Sequence, residues 1–208
     1  MPVRHPLVLA SASPRREALL HLIGLPFFVM GSGVEEEVEA ATGVDPGEFV
    51  GRMAMRKAEA VAGKVKDGFV LGADTVVVAK GRILGKPKDE RGAANMLRML
   101  SGITHEVHTS LALLHMSGGK RRRALSGREV TRVTFRELSE QDIAAYVKTG
   151  EPLDKAGAYA IQGRGAVLVS RIEGCHHNVV GLPLARLFEM LASMGVSAWE
   201  WAEKHAEE

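Results

Sequence analysis

Apolar positions along the chain fall into short runs and helical stripes that alternate from end to end. Leu7-Val8-Leu9-Ala10 is a compact run of the kind a buried strand presents, and Ser11-Ala12-Ser13-Pro14 follows as a turn whose last two residues suit a helix N-cap and first turn. Leu19, Leu20, Leu22 and Ile23 then give a helix its apolar face, Gly24 stops it, and Phe27-Phe28-Val29 after Pro26 predicts a second strand. Residues 31–47 are acidic and turn-rich, after which Phe49, Val50, Met53, Ala54, Lys57 and Ala58 recur at helical spacing. Residues 69–79 form the most apolar segment, β-branched at its end, which predicts the central strand; Lys80-Gly81-Arg82 turns it back toward Ile83-Leu84. Residues 89–100 read as a helix. Residues 106–116 and 124–135 read as strands joined by a Gly118-Gly119 turn that bears Lys120-Arg121-Arg122-Arg123. Ser139-Glu140-Gln141-Asp142 opens a helix with a capping-box pattern, and Gly150 closes it. Residues 157–174 are punctuated by glycine between short strand-like runs, Leu182-Pro183 begins a last long helix over 184–194, and the tail from Ala198 is amphipathic.

Such alternation predicts an α/β fold with a mixed sheet flanked by helices. No repeat or interdomain linker interrupts it, so residues 1–208 are expected to form one domain, which the length allows to be built as two fused lobes. A hydrophobic content of 46% excludes global disorder. Against 25 acidic side chains there are 27 basic ones, and a net charge of +2 is too small for a general polyanion coat. The basic run 120–123 sits at an expected hairpin tip without interleaved aromatics, and two Trp, two Tyr and six Phe are few for base stacking, so nucleic acid is not an expected partner. A single cysteine forms no internal disulfide, which points to a reducing compartment and to the cytoplasm. The apolar run after Arg4 and His5 is too short for a secretory signal, and no stretch of about 18 apolar residues exists to span a membrane.

Two anomalies carry the chemistry. Ser11, Ser13, Arg15 and Arg16 crowd hydroxyls, backbone N–H groups and guanidinium groups at one strand-to-helix turn; adjacent arginines there oppose the helix dipole unless an anion neutralises them. Asp74 places a carboxylate in the most apolar strand, where it needs a cation, a metal or a cleft. Glu35, Glu36 and Glu37, Lys57 and Lys86, and Asp154-Lys155 are the complementary charges: cations for phosphate oxygens, carboxylates for a hard divalent ion or a water. Gln162, in an apolar glycine-rich stretch, offers an amide that matches the edge of a base or fastens a loop. Cys175-His176-His177, read as strand, would point adjacent side chains to opposite faces and is not expected to act as a nucleophile or ligand set.

In order along the chain, Leu9-Ala10-Ser11-Ala12-Ser13-Pro14-Arg15-Arg16, Gly72-Ala73-Asp74-Thr75, Gly85-Lys86-Pro87, Ser101-Gly102 with His105, Gly150-Glu151-Pro152-Leu153-Asp154-Lys155-Ala156-Gly157-Ala158-Tyr159, Ile161-Gln162-Gly163 and Val179-Val180-Gly181-Leu182-Pro183 resemble the motifs of the Maf family of nucleoside triphosphate pyrophosphatases. The likeness runs from Leu7 to about Leu187. It implies an elongated mixed sheet in two lobes around a cleft, as in the inosine triphosphate pyrophosphatases. It also implies hydrolysis of a nucleoside triphosphate between the α- and β-phosphates, a magnesium or manganese ion, and a homodimer. Asp74 matches the family's proton acceptor, and Arg15, Thr75 and Gln162 match positions that accompany preference for dTTP and UTP. Ser11, Ser13, Arg15 and Arg16 are then expected on the triphosphate, Lys57 and Lys86 on the transferring oxygens, and Glu36 with Asp74 on the metal. The division of base and ligand roles among Asp74, Glu36 and Asp154 stays open. Ala160 departs from the glycine usual before Ile-Gln-Gly. Rival readings are a 7-methyl-GTP pyrophosphatase and a non-catalytic nucleotide-binding regulator of septum formation.

Overall fold

The computed structural model describes residues 6–35 and 43–206. The first apolar run forms β1 (Leu7–Leu9), Pro14 opens α1 (Pro14–Leu22) behind the N-cap Ser13, and β2 (Phe27–Val29) returns parallel to β1. There follow α2 (Pro46–Ala62), β3 (Gly68–Ala79), β4 (Arg82–Leu84), α3 (Glu90–Leu100), β5 (Thr104–Ser117), β6 (Lys120–Phe135) and α4 (Glu140–Val147). Short 3-10 turns (Glu151–Asp154, Ala156–Ala158 and Gly163–Leu168) lead into β7 (Val169–Glu173), and α5 (His176–Val180), α6 (Leu184–Ser193) and α7 (Ala198–Ala206) complete the described chain. The expected capping box of α4 is formed: the Ser139 hydroxyl accepts from the Asp142 N–H at 3.1 Å and the Asp142 carboxylate accepts from the Ser139 N–H at 2.9 Å.

One seven-stranded mixed sheet runs through the molecule in the order β2-β1-β3-β5-β6-β7, with β4 beside β3. β1 pairs with β3 in parallel, while β3-β5, β5-β6 and β6-β7 are antiparallel. Three expectations change. The basic run 120–123 belongs to β6 itself, because Gly118 and Gly119, both at positive φ, close the hairpin in the two residues that a mirror-image turn requires. The glycine-rich stretch after residue 157 is mostly 3-10 turns, with β7 its only strand among the described residues. Residues 176–177 are helical, not extended: Cys175 is the N-cap of α5, whose backbone is pinned by the wholly buried Asn178.

The sheet separates two kinds of core. On one face α2 lies along the sheet, with Ala54, Ala58 and Val61 against Val8, Val70 and Ala112, and farther on Phe49, Val50 and Met53 against Val76. On the opposite face two clusters are kept apart. One gathers α1, α6 and the odd-numbered residues Leu71, Ala73, Leu111 and Leu113; the other gathers α3, α4, Val77, Val107, Val133 and Phe135. These are the two lobes, joined by the long strands and backed by one helix.

Candidate active site

The cleft begins where the sheet is interrupted. Beside β3, on the side away from β5, β1 pairs only with residues 69–71 and β4 only with residues 77–79. Between those short neighbours, where Thr75 faces out from β3, lies an opening of about 380 Å³. It is lined by the turn from Ser11 to Arg16, by Gly31, Ser32, Gly33 and Val34, by Lys57, Thr75 and Lys86, and by the loop carrying Asp154 and Gln162.

Asp74 lies in mid-strand, 1% exposed, on the face that α2 covers. Its partner is Lys57, whose Nζ donates to Oδ1 at 2.5 Å; the Lys57 side chain is 7% exposed. Gly72 makes this pairing feasible. A Cβ at that position would lie 2.1 Å from the Ala54 carbonyl oxygen, so the absence of a side chain lets α2 press onto β3. One helical turn beyond Ala54 stands Lys57, and two residues beyond Gly72, on the same face, stands Asp74. The pair answers the cost of burying either charge alone. Lys57 borders the cleft directly, and Asp74 meets it through Lys57 at the edge of β3.

The two adjacent arginines separate in role. Arg15 is one-third exposed and reaches across the opening, its Nη1 4.0 Å from Oδ2 of Asp154. Arg16 is buried; its Nε donates to the Gly181 carbonyl at 2.8 Å, Nη1 to the Ser11 hydroxyl at 3.0 Å and Nη2 to the Thr75 hydroxyl at 3.1 Å. A Cβ on Gly181 would sit 3.4 Å from the Thr75 hydroxyl and 3.6 Å from Arg16 Nε, and its φ of +121° suits glycine alone. Arg16 therefore binds α1 to the floor of the cleft. Ser13 caps α1 without a side-chain cap hydrogen bond, so its hydroxyl is not spent on the helix.

The far wall is fastened from beneath. Glu151 accepts from the Gly165 N–H at 3.0 Å, the Arg164 N–H at 3.1 Å and the Tyr146 hydroxyl at 2.9 Å, which holds the loop bearing Gln162. Burial works against the Glu151 charge, yet those donors and Lys155 hold its carboxyl below the usual range. Asp154 is likewise opposed by burial and held low by Lys155, whose Nζ lies 2.5 Å from Oδ1, and then by Arg15. Burial pushes the Tyr159 phenol up, and its hydroxyl lies 2.8 Å from Nε2 of His105. His105 is pushed down to about 4 by burial, so its imidazole is neutral at pH 7. Ala158, between Gly157 and Tyr159, holds a positive φ of 59°, a strained position for alanine beside the cleft.

The structure thus gathers Ser11, Ser13, Arg15, Arg16, Lys57, Thr75, Lys86, Asp154 and Gln162 around one opening, with Asp74 behind Lys57. Glu36 and Glu37 lie outside the described residues. A family model described as Maf-like protein matches residues 6–194. The chain belongs to the Maf family. Similar to this Maf protein are a dTTP/UTP pyrophosphatase of Pelotomaculum thermopropionicum, 52% identical over 91% of this chain and 96% of its own, and one of Moorella thermoacetica, 52% identical over 93% and 97%. Among solved structures, the Staphylococcus aureus Ham1 protein aligns over 91% of this chain and 99% of its own, with a TM-score of 0.48 and 14% identity.

Which parts of this Maf site escaped sequence reasoning is instructive. Glu151 gave a signal, since it stands inside a matched motif, but two of its donors are backbone N–H groups that leave no pattern in side-chain identity; Tyr146, outside the motifs, gave none. Asn178 gave none. No group of three or more His, Cys, Asp or Glu side chains suited to a metal occurs among the described residues. The carboxylates at the site are Asp154, which lines the opening, and Asp74, which lies behind Lys57; a magnesium-type ion commonly binds through one or two carboxylates with substrate phosphates completing the shell, and these residues would fit that mode. No described helix is long and apolar enough to cross a membrane.

Proposed function

We propose that this Maf protein hydrolyses dTTP and UTP between the α- and β-phosphates, releasing the nucleoside monophosphate and pyrophosphate. The observation that carries this reading is the convergence on one cleft of the α1 N-terminus, Arg15, Lys57 and Lys86, with a buried carboxylate bonded to one of those cations. A polyanion is the ligand such a cradle holds. The substrate class follows the names of the relatives, dTTP/UTP pyrophosphatases at 52% identity.

The triphosphate lies against the first turn of α1, held by Ser11, Ser13 and Arg15, while Lys57 and Lys86 neutralise charge on the transferring oxygens. Asp74 accepts the proton of the attacking water; the oxygen bonds to the α-phosphorus as the bond to the bridging oxygen breaks, and pyrophosphate departs with that electron pair. Gln162 presents its amide to the base edge. Asp74 and Glu36 would hold a magnesium or manganese ion, which would supply further neutralisation of phosphate charge. The protein works in the cytoplasm, as its single cysteine suggests, and as a homodimer, as the family resemblance implies.

The test is a panel of natural and modified triphosphates, incubated with magnesium or manganese, with pyrophosphate and orthophosphate measured separately. Pyrophosphate from dTTP and UTP is expected. Orthophosphate as first product, turnover confined to 7-methyl-GTP, or binding without turnover each overturns the reading.

A further inference from the structure

Beneath the cleft a buried hydrogen-bond chain crosses three strands, and its directions are fixed. The Thr109 hydroxyl, 0% exposed, donates its single proton to the Asn178 carbonyl at 2.9 Å. The Thr75 hydroxyl lies 2.9 Å from that of Thr109, whose proton is already committed; Thr75 must be the donor in that contact. Thr75 also accepts from Arg16 Nη2 at 3.1 Å. A hydroxyl has one proton and two lone pairs, so Thr75 has no proton to offer the cleft and one lone pair beyond these bonds. Asn178 is itself immobilised: its amide donates to the Val107 carbonyl and to the Thr131 hydroxyl, each at 2.9 Å, and Thr131 donates onward to the Cys175 carbonyl at 3.0 Å.

Thr75 borders the cleft beside Val77, Val107 and Val179, whose apolar surfaces suit a flat base better than phosphates. We propose that Thr109, seated by Asn178, is a positioning residue that holds Thr75 as a pure hydrogen-bond acceptor and so favours bases carrying a ring N–H. Thymine and uracil carry a proton on N3, whereas cytosine presents a bare N3 lone pair there and is nearly the same size, so shape alone does not separate them. The inference rests on the pyrimidine triphosphate reading above and adds the residues that impose the choice.

Thr109→Val keeps the shape and removes the relay, which frees the Thr75 proton. The ratio of kcat/KM for dTTP to that for dCTP is then expected to fall at least about tenfold, the scale of one hydrogen bond, through both a loss on dTTP and a gain on dCTP. Thr109→Ser, which keeps the hydroxyl, restores the wild-type ratio. A folded Thr109→Val enzyme with the wild-type ratio, or a Thr109→Ser enzyme that behaves like it, overturns the relay while leaving the pyrophosphatase reading intact; a wild-type protein that releases no pyrophosphate from dTTP overturns both. Should Thr109→Val not fold, 3-methyl-dTTP puts the question to the wild-type enzyme. A loss of at least about tenfold in kcat/KM against dTTP is expected there, and equal turnover overturns the proposal.

Discussion

A carboxylate in the middle of a strand, 1% exposed, is tolerated because an ammonium group lies 2.5 Å from it, and that partnership is also what brings it to the cleft. Asp74→Asn is expected to lower kcat at least about a hundredfold, the scale of a positioned general base, while thermal unfolding shows the protein still folded. Arg15→Ala should raise KM for dTTP and lower kcat, in steady-state kinetics, because Arg15 is the guanidinium turned to the opening. A third expectation concerns His105. Its folded value near 4 lies below the ordinary 6.5, so between those values the unfolded chain binds a proton that the folded chain refuses. Stability is therefore full above about pH 6.5 and is lost as the pH falls toward 4, by up to about 3 kcal/mol. Melting temperatures measured across that window should slope downward with acid, and His105→Gln should flatten the slope. Asp74 was legible in the sequence because a charge in an apolar run violates a physical rule. Arg16 was legible as a site residue but not in its role, because one of its acceptors is the backbone carbonyl of Gly181, 165 positions away, and a carbonyl is the same in every residue.

Strands and helices were read well where periodicity was strong: β3, α2, α3 and the capping box of α4 all lie where the pattern of apolar positions puts them. The five-residue α5 was not, since a single turn has no period to detect; its position is set by the Asn178 hydrogen bonds instead. The contact of α2 with β3 gives an element-scale prediction. Gly72→Ala forces a methyl group to within 2.1 Å of the Ala54 carbonyl unless the helix retreats. Overpacking of this kind costs about 1–3 kcal/mol, and retreat separates Lys57 from Asp74. A fall in both melting temperature and kcat is expected. Ser139→Ala, in the other lobe, is its contrast: loss of the cap costs about 1 kcal/mol, so melting falls by a few degrees and kcat holds.

For the molecule as a whole, the cleft is lined from two cores that share the long strands, α2 and α5. Occupancy should therefore stabilise both lobes together. At a hundredfold excess over Kd, dTTP in chelator is expected to add about 2.7 kcal/mol to unfolding, read as a single shifted transition in calorimetry, and Arg15→Ala should shrink that shift. The lobes themselves were not separable by composition or by the alternation of the strands, because both cores use odd-numbered positions on one face of the sheet and differ only in how far along the shared strands they lie.

The opening beside residues 72–76 owes its existence to the brevity of β1 and β4. Were the first strand to run on past Leu9 and zip along its neighbour, no reactive group would need to be removed for activity to vanish. Here completeness and catalysis exclude one another: the working surface is a deliberate vacancy in a β-weave, and a mutation that mended it would leave a sturdier but inert protein.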